Sequence, residues 1–126
     1  MELTTDNWID RKANLRTVTN PSWFDVETAI KYLDAKHKTE VLLESDAQIS
    51  VGGGAGQYFV YIFIADERNL ILTDLSKPDG FVHLIVGGLT GTYPLRNIVD
   101  IDLAMRTTKV FYETEQAVSD LTWVED

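Results

Sequence analysis

Apolar residues are most concentrated in the run Gln57–Ile64, where seven of eight positions are β-branched or aromatic. Side chains of this kind fit the pleated surface of a β-sheet. No polar residue alternates with them before Asp66, so both faces of this strand are expected to be covered and the strand to be central. A second apolar run, Leu70–Thr73, follows a short polar turn, and the two runs are predicted to pair as a β-hairpin.

Further strands are predicted at 39–44, 48–51 and 81–86, each bounded by turn residues. The segment 91–97 is predicted to be a loop or a short strand. The first twenty residues are polar and lack a sustained period. We expect them to form a short edge strand or an extended segment packed by Trp8.

Two helices are predicted from capping residues and three- to four-residue spacing. The first runs over 23–36 and begins after Ser22, and the second begins near Asp100 with a buried stripe that includes Phe111. The order of helix, several strands and helix predicts an α+β fold: a single antiparallel β-sheet of about five to six strands, with two helices packed on one face. We expect residues 1–126 to form a single domain.

The chain is acidic, with a net charge of −9 and no cysteine. A negative field repels nucleic acid and anionic membranes, and it accelerates association with a basic partner. The absence of cysteine excludes disulfides, a thiolate nucleophile and a cysteine-based zinc site. The N-terminus lacks a signal-peptide pattern, and no run approaches the roughly 18 apolar residues of a membrane span. We therefore expect a soluble protein that stays where it is made.

Catalytic signals are weak. The glycine run 52–56 has neither dinucleotide-binding nor P-loop spacing, so it is interpreted as a turn or bulge that needs positive φ. His37 is expected to be solvated and His83 to be a half-buried packing residue, which predicts no metal site. No nucleophile-elbow pattern is present, and the many carboxylates include no distinguished pair. We expect no enzymatic activity and no cofactor.

Four short motifs occur in a recognisable order: 51–58 around the glycine run, 86–88, the Tyr93-Pro94 step leading into the last helix, and 121–125. In order and spacing, residues 20–126 resemble the first family of bacterial polymorphic-toxin immunity proteins. The resemblance implies an interbacterial-competition protein, an antitoxin. Its expected partner is a cognate basic toxin domain, encoded by the adjacent gene and often of the deaminase superfamily. Tight binding would occlude the toxin's active site in the cytoplasm, with no direct contact to nucleic acid or membrane.

Within this resemblance, the motif residues are expected to maintain the fold; they are Gly52, Gly53, Gly87, Gly88, Pro94 and Trp123. Charge alone predicts that toxin contacts come from exposed acids. These are Glu44, Asp46, Asp66, Glu67, Asp74, Asp79, Glu113, Glu115 and Asp120. Two other functions stay open: a small-ligand-binding or regulatory module with the glycine run at its mouth, and a hydrolase that uses paired carboxylates.

Overall fold

Strands dominate the part of the chain that the structure, a computed structural model, describes: residues 1–64 and 68–126. The α+β class predicted from the sequence is confirmed. A short 3₁₀ turn, Leu95–Asn97, precedes the last helix. Numbered along the chain, the strands and helices are β1 (Glu2–Ile9), β2 (Lys12–Thr19), α1 (Trp23–Lys31), β3 (Glu40–Glu44), β4 (Gln48–Gly54), β5 (Gln57–Ile64), β6 (Arg68–Thr73), β7 (Phe81–Val86), β8 (Leu89–Pro94), α2 (Ile101–Thr114) and β9 (Thr122–Glu125).

The main sheet has seven antiparallel strands in the order β2-β1-β3-β4-β5-β6-β9, and β7 and β8 form a separate two-stranded sheet. The prediction of one sheet with five to six strands was therefore wrong in number. Much of the difference lies in the first twenty residues, which form a complete hairpin instead of one short strand. Its turn, Asp10-Arg11, has positive φ at both residues, the geometry of a tight two-residue connection.

The strand β5 lies inside the sheet, between β4 and β6, as its apolar run predicts. The prediction that both faces of β5 are covered was wrong, however. Val60 and Ile62 are fully buried towards the helices, whereas Phe63 on the other face is 41% exposed. The sequence hides this alternation because aromatic residues occupy both faces.

The helix α1 begins where predicted but ends at Lys31, five residues early. Ser22 caps its start and forms a reciprocal capping box with Asp25. Beyond its end, Asp34 accepts backbone hydrogen bonds from three successive residues, 36–38. Partial burial opposes ionisation of Asp34, but these three N–H donors outweigh it and lower its pKa. The second helix begins after the Asp100 cap, as predicted.

The two helices pack against each other on one face of the main sheet and bury the core. The opposite face, called here the open face, is partly covered by the β7–β8 hairpin. Tyr93 lies 4.7 Å from Phe59 between ring centroids, and Val86 packs against Gly52. His83 is exposed beside Thr92, so the half-buried position predicted for it was wrong.

The β4–β5 turn offers a stabilising substitution. Ala55 and Gly56 both have positive φ, at 54° and 88°, as a two-residue hairpin turn requires. Most residues with a Cβ are strained in this region, and asparagine is among those that tolerate it best. We expect Ala55→Asn to raise the free energy of unfolding by about 0.5–1 kcal/mol. Urea denaturation measures it. Ala55→Val is the control and should destabilise, because a β-branched residue fits this φ poorly; an unchanged midpoint for both variants would contradict the argument.

Candidate functional site: the open face of the sheet

Strand register places a row of mainly apolar side chains, interrupted by Ser50 on β4, across the open face. Residues directly opposite each other on neighbouring strands share a face. Leu42 lies opposite Ser50, Ser50 opposite Tyr61, Tyr61 opposite Ile71, and Ile71 opposite Val124. The row therefore spans five strands, from β3 to β9.

This row is not fully covered. The β7–β8 hairpin rests over the end of the face that holds Phe59 and Gly52, and it leaves the other end accessible. Val124 is 46% exposed, and Phe63, one row further towards the end of the sheet, is 41% exposed. We call the accessible apolar set the open-face patch; it consists of Leu42, Tyr61, Phe63, Ile71 and Val124.

Carboxylates border the open-face patch on both sides. Glu2 lies directly opposite Glu44, and Asp126 follows β9, with its N–H donating to Asn69 O at 2.9 Å. Asp46 lies in the adjoining β3–β4 turn. These four acids form what we call the acidic rim: Glu2, Glu44, Asp46 and Asp126. Within residues 1–64 and 68–126, no ion pair involves any of them.

Like charges directly across antiparallel strands are unfavourable, so the Glu2–Glu44 pair costs the free protein stability. A basic partner would relieve that repulsion. Partial burial, and then the negative charge of Asp126 in the rim, raise the pKa of the Tyr61 phenol. The neutral phenol can donate a hydrogen bond to a partner.

The C-terminal end of α2 lies at the same end of the molecule as Glu2. Tyr112 Oη donates to Pro21 O at 2.8 Å, and Asn20 N donates to Met1 O at 2.8 Å. The helix end is thereby held beside the start of β1. Glu113 and Glu115 follow directly and are exposed, on the helix side of the sheet.

The nine acids predicted as toxin contacts are not brought together. Glu44 and Asp46 belong to the acidic rim, and the α2 acids lie at the same end of the molecule. Asp66 and Glu67 lie outside the described residues. The remaining three are engaged within the chain, in the pairs Asp74–Ser76, Asp79–Arg96 and Asp120–Arg106.

Asp74 illustrates an internal role for a predicted contact. Its Oδ1 accepts from the hydroxyl and the backbone N–H of Ser76, at 2.6 and 3.0 Å, and these bonds lower its pKa. This arrangement fixes the loop after β6. Sequence reasoning by charge missed the apolar patch residues and two rim acids, Glu2 and Asp126. Aromatic residues at every second position of Gln57–Ile64 were the available signal.

The glycine motifs lie at turns and close contacts. Gly53, Gly87 and Gly88 have positive φ, and Gly52 and Gly88 face Val86 and Trp8 with no room for a Cβ. Pro94 ends β8, and the half-buried Trp123 donates from Nε1 to Val118 O at 2.9 Å. A hollow of about 300 Å³ adjoins the β4–β5 turn, lined mainly by small and apolar residues such as Leu84 and Ile85.

The position of the acidic rim does not favour the hydrolase hypothesis. Glu2 and Glu44 lie on an exposed surface, whereas paired-carboxylate hydrolysis needs two acids held in a cleft around a substrate. Among the residues that the structure describes, no three His, Asp or Glu side chains are placed to hold a metal ion. Of the described helices, none is long and apolar enough to cross a membrane.

Comparison with known proteins leaves the family open. No protein-family model matches the chain, and a search of curated proteins finds no match. The resemblance to the immunity family therefore stays a prediction.

Proposed function

We propose that the protein is an immunity protein that neutralises a cognate bacterial toxin by tight binding through the open-face patch. The observation that carries this proposal is the open-face patch, a set of apolar and aromatic side chains from four strands that is left accessible and is bordered by carboxylates without ion pairs among the described residues. Protein interfaces commonly combine an apolar, aromatic centre with a polar rim.

The two parts of the surface would contribute differently. Tyr61 and Phe63 are the residue types that supply most binding energy when a partner removes them from water. The acidic rim, together with the net charge of −9, would accelerate encounter with a basic toxin and make association sensitive to salt.

The toxin would be a nucleic-acid-targeting deaminase or nuclease acting in the cytoplasm. Enzymes that bind nucleic acid present basic surfaces to the phosphate backbone. An acidic protein seated on such a surface competes with the substrate and occludes the active site. This role needs no catalysis, cofactor or membrane contact by the inhibitor.

The proposal is tested with the C-terminal domain of the protein encoded by the adjacent gene. We expect the two proteins to co-purify in equal stoichiometry and the toxin to lose activity in the complex. Phe63→Ala should weaken binding about tenfold or more, because a central aromatic contact is lost. Phe81→Ala is the matched control, since Phe81 is also strongly exposed but lies on the β7–β8 hairpin, and it should change affinity less than about twofold.

Charge is tested separately with Glu2→Gln/Glu44→Gln in the same complex. We expect a slower association rate and a weaker dependence of that rate on salt, with a smaller change in dissociation. Failure to capture the toxin domain, or equal binding by the Phe63→Ala variant and the wild type, would contradict the proposal.

A further inference from the structure

The strand β2 forms one edge of the main sheet and pairs only with β1. In an antiparallel pair, alternate residues direct their N–H and C=O groups towards the partner strand and away from it. Because a two-residue turn joins β1 and β2, Ile9 and Lys12 form the closing hydrogen-bonded pair. The outward groups therefore belong to every second residue, Ala13, Leu15, Thr17 and Thr19, and this edge is a template for a further strand.

A groove runs beside this edge on the helix side of the sheet. Its volume is about 440 Å³, and its apolar floor includes Leu3, Val18 and Val41. One wall is formed by α1, where Phe24 is 71% exposed; Tyr32, just past the helix end, is 63% exposed. A strand added to β2 would place alternate side chains in this groove and cover both aromatic rings.

The edge is basic in an acidic chain. Residues 11–19 contain three bases, Arg11, Lys12 and Arg16, and no acid. In the part of the chain that the structure describes, none of these bases takes part in an ion pair. Three acids also line the groove, and each already accepts a hydrogen bond within the chain: Asp6 from Thr39 N, Asp25 from Ser22 N and Glu40 from Ser50 Oγ. Along β2 itself, from Lys12 to Thr19, the side-chain charge is positive.

We propose that β2 and the adjoining groove bind an extended, carboxylate-rich segment of a protein partner as an eighth strand of the sheet. Its backbone would pair with the outward groups of β2, and its carboxylates would lie beside Lys12 and Arg16. Strand addition of this kind takes affinity from main-chain hydrogen bonds and specificity from alternate side chains. The site is separate from the open-face patch, which begins at β3, so this inference does not depend on the toxin proposal.

A second copy of the chain fits this edge poorly. Antiparallel self-pairing of β2 would bring the two sets of bases together, and like charges repel each other. Basic residues on an edge strand are a known protection against self-association. They leave the edge open to a strand of opposite charge.

The probe is a labelled eight-residue peptide of alternating valine and glutamate, compared with the same peptide carrying lysine in place of glutamate. Fluorescence anisotropy gives affinity, and amide chemical shifts locate the site. We expect the glutamate peptide to bind at least about tenfold more tightly than the lysine peptide, with shifts at Ala13, Leu15 and Thr17. Lys12→Glu/Arg16→Glu should reverse this preference.

The backbone contribution is tested with Thr17→Pro, which removes one outward N–H without touching the bonds to β1. Thr17→Val is the matched control, because both variants lose the hydroxyl contact with Thr4 and only proline loses the donor. We expect proline to abolish peptide binding and valine to preserve it. Equal binding of both peptides, binding that survives Thr17→Pro in a folded protein, no binding of either peptide, or a wild-type dimer that Thr17→Pro dissociates would each overturn the inference.

Discussion

Gly54→Ala is expected to lower the free energy of unfolding by about 3 kcal/mol or more. Gly54 has φ of +131°, a region that L-residues rarely adopt. A Cβ there would lie 2.5 Å from the carbonyl carbon of Leu33 and 2.7 Å from Ala35 N. Both contacts are with backbone atoms that side-chain rotation cannot move. The cost therefore combines backbone strain with overpacking.

The backbone that a Cβ at Gly54 would displace is itself hydrogen-bonded to the end of β4. Ala35 N donates to Gly53 O at 2.9 Å, and Asp34 forms an isolated bridge with Gly54. These bonds hold the segment after α1 against the end of β4. Pushing the segment away would break them and loosen the end of the helix.

Gly56→Ala is the matched control, two residues away. It also has positive φ, at +88°, but no atom lies within 4 Å of the Cβ position. Because only backbone strain applies, we expect Gly56→Ala to lower the free energy of unfolding by about 1 kcal/mol. Chemical denaturation of the two variants separates the effects, and equal destabilisation would show that the close contact with Leu33 has no energetic weight.

Asp6→Ala is expected to cost about 3 kcal/mol as well. The Asp6 side chain is 8% exposed and accepts four hydrogen bonds. Two come from Thr39, through N at 2.8 Å and Oγ1 at 2.5 Å, and the others come from Trp8 Nε1 and Glu40 N. Removing the acceptor leaves several buried donors without a partner, and each costs free energy.

The Asp6→Ala substitution should also weaken the attachment of the β7–β8 hairpin to the main sheet. Thr39 Oγ1 also accepts from Gly88 N at 2.9 Å, and the Trp8 indole packs against Gly88. We expect tryptophan fluorescence to report a change around Trp8 in the folded Asp6→Ala protein, in addition to the lower stability. Asp6→Asn, which retains one acceptor oxygen, should lose less. Glu2→Ala, on the same strand and exposed, should stay within about 0.5 kcal/mol of the wild type; a comparable loss there would refute a special role for Asp6.

Local signals predicted much of the fold. The apolar run of β5 and the caps Ser22 and Asp100 act through nearby chain geometry, so they could be recognised from the sequence. The early end of α1 could not be predicted from the sequence. It depends on the hydrogen bonds that Asp34 accepts from the N–H groups of residues 36–38, and on the contact between Gly54 and the segment after the helix. An edge strand such as β2 buries little, so it carries almost no hydrophobic pattern.

The candidate site was less predictable, because register determines it. Glu2 and Glu44 are neighbours only through the pairing of β1 with β3. Charge counting treated all exposed acids alike, although Asp79 and Asp120 are bound to arginines of the same chain. The open-face patch combines residues of four strands that are not all consecutive, which no single stretch of sequence reveals.

The β7–β8 hairpin gives the open face a stepped profile. Where Tyr93 rests on Phe59, the surface rises from the sheet to the hairpin. A partner seated on the open-face patch would meet this step along one side. A flat surface could touch the sheet or the hairpin but not both, so the step would select partners with a complementary corner and fix the direction from which they approach.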